Sequence, residues 1–590
     1  MDHFKSMITS TTIIIRKSSL LAVLVFLFDP CCWAFPIIPS HNGRTGATTT
    51  TTTTKISRRP APTQTVASIL GNEASFPKWF HGRTSHRHTL EDCQLGLSAP
   101  CHEDGAASLS SYEQRQQQRI EIILSKMTHF FASMVDTTTS TTTCENETNR
   151  QYRFYDKCLP PTCERLHETH HNNAIRDLAA AWDATKILQF WKDHSITCAE
   201  RSDEMEGLRK AISTTLEYYC QDSNPPLPLP VGVVETTSTT TSHGKMLHPD
   251  LFPSINNNEP PNIGHSALFL LASVGAVRLS LLPPAGIILD SMNALTQGIL
   301  AVQQSGESNY EGAFRTEFVL PSQRPQSSSE SDAVAVLKMI DFYPGEAMVA
   351  LMDMYQHDSS ATTSTSTSST SLLDSDTRRR ILPSMKAALA YYSNYYVTQR
   401  PNVNYNIWQI QAFARFFRAL IIIDDNHAGN DETKHGNDHD TVLLRQNILT
   451  YIVPMCCDIV QSKSWKYELA RGRPFYPNLQ TIEIACGLDA LVDGMQVVMT
   501  MTDSDNDDNN SNNNKEQQQQ QLALFWKHAD HALDFLEWSL DQAPTDTTII
   551  GSGGLGYGGV QVLEQRWDVT GHAISALTKL HRLYSTATRY

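Results

Sequence analysis

A chain of 590 residues that is 40% hydrophobic, 8% aromatic and 18% charged is neither collagenous, fibrous nor wholly disordered. Its formal net charge of −15, with no long basic stripe in the body, excludes a general nucleic-acid binder, because counterion release needs clustered Lys and Arg. Polar runs at Thr48–Thr54, Thr138–Thr143, Ser359–Ser371 and Asn509–Gln521 leave an expected folded part of roughly 400 to 450 residues, enough for one large core.

The N-terminus reads as a targeting leader. Residues 1–72 carry seven Lys or Arg against Asp2 and Asp29 only, ahead of an acidic body. Arg16 and Lys17 precede the apolar run Leu20–Phe28, and the small residues Cys32 and Ala34 follow. That is a signal peptide over 1–34, too short to span a bilayer comfortably. Residues 35–72 are rich in Thr and Ser and hold no acid before Glu73, the composition of a transit peptide. With Ala34, Phe35 and Pro36 at the junction, the leader resembles the bipartite plastid presequence of algae with secondary plastids. The expected location is a plastid reached by the secretory route, with secretion as the alternative. Residues 73–111 read as a linker.

Twelve cysteines follow no zinc spacing, so mostly free buried thiols are expected, and Cys93 with Cys101 is the pair to test if the protein is secreted. No metal or other cofactor is expected. Residues 263–301 come closest to a membrane span, but His265, Arg278 and Pro283–Pro284 cut them into two buried helices. No other segment reads as a span.

From residue 112 the apolar positions recur at helical spacing. The predicted helices are 112–135, 173–193, 203–221, 263–281, 285–304, 343–357, 376–398, 402–421, 440–463, 478–501, 519–541 and 569–586. Polar inserts are expected near 136–149, 235–242, 322–333, 358–377, 424–441 and 502–521. No sustained period-two alternation occurs, so the expected fold is all-α, in one domain over 112–590. Polar and aromatic residues with Gly or Pro recur before alternate helices, as at Asn262–His265, Asp341–Glu346, Asn404–Trp408 and Trp567–His572.

Those recurrences, with Tyr343-Pro344-Gly345-Glu346-Ala347, the turn Glu311-Gly312-Ala313-Phe314-Arg315 and the closing Arg566-Trp567-Asp568 and His572–Leu577 string, resemble the six-hairpin glycosidase-like, or (α/α)6-toroid, superfamily. The resemblance covers roughly 150–586. It implies a ring of six helical hairpins with a substrate cleft at the N-termini of the inner helices, and a carbohydrate or other small-molecule substrate. Helix N-termini favour carboxylates and sugar hydroxyls as ligands.

The residues placed there are Glu346, Asp568, Glu311 and His572 as candidate catalytic groups, with Arg176, Arg315, Tyr343, Trp408 and Trp567 as candidate substrate-binding groups. Tyr557 is a further aromatic candidate. A glycoside hydrolase needs two carboxyl groups, one of them protonated. A lyase or epimerase needs a base, for which His572 or Tyr343 is available. The plainer roles are capping for Glu346 and Asp568, core packing for the tryptophans and internal ion pairs for the arginines. They define the alternative, a catalytically silent toroid that binds a glycan or protein partner. Two minor alternatives remain. A terpenoid cyclase shares the ring but would need an Asp-rich motif. His167-Glu168-Thr169-His170-His171 matches a zinc metalloprotease template, although no third ligand is evident.

Overall fold

The structure, a computed structural model, describes residues 105–135, 154–155, 157–159, 164–166, 174–194, 202–220, 262–282, 287–305, 309–316, 336–337, 339–363, 371–428, 438–462, 465, 468–470, 473–475, 481–504, 512–541, 554–555 and 565–587. The signal, transit and metalloprotease motifs, Tyr557, Cys93 and Cys101 lie outside these residues, as do the inserts near 136–149, 235–242 and 322–333.

The fold is all-α, with twelve helices among the described residues. They are α1 (Gly105–Ser133), α2 (Ala174–Asp193), α3 (Ser202–Cys220), α4 (Ile263–Arg278), α5 (Ile287–Ala301), α6 (Tyr343–Thr363), α7 (Ser375–Gln399), α8 (Val403–Ala428), α9 (Asp438–Gln461), α10 (Thr481–Ser504), α11 (Asn512–Asp541) and α12 (Trp567–Ala587). Each matches one helix expected from apolar spacing. The residues from Ser108 onward form one compact unit.

Local chemistry sets several boundaries. Asn262 caps α4 by accepting the His265 N–H at 3.1 Å. Asp374 caps α7 by accepting the Thr377 N–H at 2.8 Å, and Arg400 closes that helix in the left-handed region. The helices also correct the expected boundaries. Helix α1 starts inside the segment read as a linker. Helices α6 and α8 continue into the Ser/Thr and Asp/Asn inserts to Thr363 and Ala428, and α11 begins within the Asn/Gln run. Asn and Gln interrupt a helix less than their low hydrophobicity suggests, because packing at the far end of the helix carries them along.

Five short strands, not expected from alternation, pair antiparallel: β1 (Lys157–Leu159) lies between β2 (Glu164–Leu166) and β5 (Gln565–Arg566), and β3 (Glu468–Ala470) pairs with β4 (Arg473–Phe475). With two or three residues each, they are too short for a period of two to show.

The even-numbered helices carry the core. α2 packs on α4, α4 on α6, α6 on α8, α8 on α10, α10 on α12, and α12 on α2. Odd-numbered helices pack on these: α3 on α2 and α4, α5 on α4, α7 on α6, α9 on α8 and α10, α11 on α10. Helix α1 reaches α11 through Arg119, which pairs with Glu537 and with Asp534 at 2.6 Å, and reaches α2 through the Trp191 indole N–H, which donates to Thr128 at 3.0 Å. The segment after α5 returns to α4, where the Ile263 N–H donates to the Thr316 carbonyl at 2.9 Å.

That return turns at Gly312, with φ of +87°, where a Cβ would lie 2.2 Å from the Ala387 carbonyl oxygen. Gly312→Ala is expected to cost about 1–3 kcal/mol from backbone strain, plus the displacement of α7, measured as a lowered urea midpoint.

The helices α9 and α10 each contain a stretch with the length and apolarity of a membrane span, at Asp440–Gln461 and Thr481–Thr502, which corrects the reading that no such segment exists outside 263–301. The second is 83% buried within the protein, and it carries ion-paired Asp489 and Asp493. Both facts describe a core helix.

Candidate functional site

The first turns of the even-numbered helices hold most of the expected site residues. Glu346 lies in the first turn of α6, is 1% exposed, and has no hydrogen-bond partner for its Oε2. Burial alone pushes its carboxyl up to about 8, so it carries a proton at neutral pH. A Cβ at Gly264 of α4 would lie 3.0 Å from that oxygen and 2.7 Å from Tyr343. The α4 backbone therefore closes directly over Glu346 and Tyr343.

On the other side, a Cβ at Gly345 would lie 2.4 Å from the Trp408 Cβ of α8. The Trp408 ring stacks on Trp182 of α2, with centroids 6.4 Å apart and planes at 23°. It also meets His572 of α12 edge-on at 6.4 Å. The start of α6 thus abuts Trp408 through Gly345, and Trp408 in turn meets His572.

Asp568, in the first turn of α12, is a committed ion. Its Oδ1 accepts from Arg566 Nε at 3.0 Å and from the Val569 N–H at 2.9 Å, and its Oδ2 accepts from Arg566 Nη2 at 2.5 Å. Burial would raise this carboxyl, but Arg566 and Arg176 hold it below the usual carboxylate range. Arg176 is thereby placed beside it. Asp568 thus serves the first-turn Val569 N–H and a two-point arginine pair.

His572 is half-buried. Burial lowers its basicity, opposed by Asp183 and Asp489, so the imidazole is neutral at pH 7 and can accept a proton.

The other three expected residues occupy the Gly312 turn, the packing against α1 and the strap beside α4. Glu311 is exposed on the Gly312 turn, because the positive φ of its neighbour turns the chain there. Trp567 is 2% exposed and meets Phe131 of α1 edge-on at 6.4 Å, so it fills the packing between α12 and α1. Arg315 is buried in the strap that leads back to α4, its N–H donating to the Val302 carbonyl at 3.1 Å.

A second polar layer lies two turns further along the same helix faces. Glu346 and Asp353 are seven residues apart on one face of α6. Asp353 accepts from Arg415 of α8 at 3.0 Å, and Arg415 also reaches Asp493 of α10 at 3.6 Å. Asp493 takes Arg418 at 3.1 Å and Lys579 of α12 at 2.5 Å, and Lys579 pairs with Asp489 at 2.8 Å. This belt escaped sequence reading, although Asp489 and Asp493 in an otherwise apolar helix, one turn apart, were a usable signal. Trp182 and Asp183, further along the helix that carries the candidate Arg176, were missed too.

Among the described residues no group of three or more His, Cys, Asp or Glu is placed to hold a metal, and Cys456, Cys457 and Cys486 are free thiols. No protein-family description, curated protein or solved structure matches the chain.

Proposed function

We propose that this chain is an (α/α)6 toroid acting on carbohydrate by acid–base chemistry at the N-terminal ends of its inner helices. The neighbour order of the even-numbered helices, in which α12 returns to α2 while odd-numbered helices pack behind, supports the ring. The observation that carries the activity is Glu346, a buried, protonated carboxyl with no partner for its Oε2, next to Gly345, which packs on the Trp408 that meets a neutral histidine. A protonated acid and a neutral base near the starts of inner helices are the two groups that acid–base catalysis requires. Both oxygens of Asp568 are engaged by Arg566, which weakens it as the second carboxylate of a hydrolase. The lyase or epimerase form of the carbohydrate reading is therefore favoured over hydrolysis. The leader fits this proposal as delivery to a plastid by the secretory route.

One observation favours the silent-toroid alternative: Glu346 and Asp568 are only 1% and 8% exposed. A panel of sugars and oligosaccharides, followed for unsaturated or epimerised products by absorbance and NMR, separates the two. His572→Gln is expected to lower turnover by about 100-fold or more. Asp568→Asn is expected mainly to lower the melting temperature. Reducing-end release that is indifferent to His572 but abolished by Asp568→Asn would restore the paired-carboxylate hydrolase instead.

A further inference from the structure

We propose that Asp183, on α2, is the positioning carboxylate of His572, held in place by Lys186 and by the backbone at Gly571. The inference rests on the reading of His572 as the base of the site. Asp183 is 3% exposed and lies hard against α12, where a Cβ at Gly571 would fall 2.0 Å from its Oδ2. Only glycine lets the carboxylate approach the helix backbone this closely, and Gly571 immediately precedes His572. The other oxygen, Oδ1, takes the Lys186 ammonium at 2.8 Å. Lys186 also sits over the Trp182 ring, 3.3 Å from its centroid. Trp182 stacks on Trp408, and Trp408 meets His572. The contacts therefore run in series from Asp183 through Lys186, Trp182 and Trp408 to His572, while Asp183 also abuts Gly571, the residue before His572.

The charged groups acting on His572 are Asp183 and Lys186 from α2, Asp489 from α10 and Asp568 from its own helix, and Asp183 is the strongest of the favourable ones. When His572 takes a proton from a substrate hydroxyl or carbon acid, the electron pair of the broken bond stays on the substrate. The imidazolium that forms then faces the Asp183 carboxylate. A buried carboxylate that balances this charge stabilises the protonated state without itself taking the proton.

The test uses the full chain, labelled with ¹³C at histidine Cε1, with His572→Gln identifying the resonance. Asp183 favours the imidazolium and Lys186 opposes it, so the two removals act with opposite sign. In Asp183→Asn the His572 titration midpoint is expected to move to lower pH, and in Lys186→Met to higher pH. The acidic limb of kcat/KM should follow each shift. A midpoint unmoved by both variants, or moved in the same direction by both, overturns the proposal. Gly571→Ala, which pushes the carboxylate away, should move the midpoint as Asp183→Asn does, and failure to do so counts equally against the pairing. The titration needs no substrate. Opposite shifts without turnover on any sugar would therefore retain the Asp183–His572 pair and reject the carbohydrate reading.

Discussion

Replacing Glu346 by Gln is expected to abolish turnover, by about 100- to 10,000-fold, while leaving the protein folded and more stable at neutral pH. The two effects have one cause. In the unfolded chain the carboxyl titrates near 4.5, whereas burial raises it to about 8 in the fold. Between those values the unfolded chain has lost the proton that the native state still holds. Stability from this group is therefore complete below about 4.5 and is lost as pH rises toward 8. At pH 7 the loss is roughly 3 kcal/mol from 1.4 kcal/mol per unit. Gln has the same shape and no proton to lose. The variant's melting temperature should overtake the wild type's progressively from pH 5 to pH 8. Parallel melting curves at both pH values would show that Glu346 is ionised in the native state, and with that its role as the acid would fall.

Arg415→Met is expected to destabilise the protein by about 3–5 kcal/mol. Arg415 stands between Asp353 and Asp493, and its side chain is 9% exposed. Burial would raise both carboxyls, but Arg415 with Arg278 holds Asp353 down, and Lys579, Arg418 and Arg415 hold Asp493 down. Removing the guanidinium leaves Asp353, among the described residues, with the 3.9 Å contact to Arg278 and the more distant Arg418. The sign with pH is opposite to that of Glu346. Depressed carboxyls stabilise the fold above their unfolded value of 3.8 and lose that contribution as pH falls from there through their lower native values. Urea midpoints of the variant should therefore fall less on acidification than those of the wild type, so that the two converge below about pH 4. An unchanged midpoint would mean that the belt is as stable with a gap as with its arginine.

How much was legible in the sequence differs by level. Each of the twelve helices follows from apolar residues at helical spacing, and the expectation of two helices over 263–301, seen as α4 and α5, follows from two prolines in the sequence between them. Placing Glu346, Asp568, His572 and Trp408 near helix N-termini needed only the positions of those starts. Periodicity states which face of a helix is buried, but it does not say which helix covers that face. Trp567 and Trp408 occupy similar sites near helix starts, yet Trp567 packs on α1 while Trp408 meets Trp182 and His572. Glu346 and Asp568 looked alike as capping acids. Tertiary structure set their charge states apart: α4 closes over one without offering a partner, and Arg566 and Arg176 surround the other. Local patterns of backbone and hydrophobicity are written within a few residues, so the sequence by itself determined the helices. Desolvation and charge pairing depend on groups hundreds of residues away, so only the tertiary structure decided which of those side chains can exchange a proton.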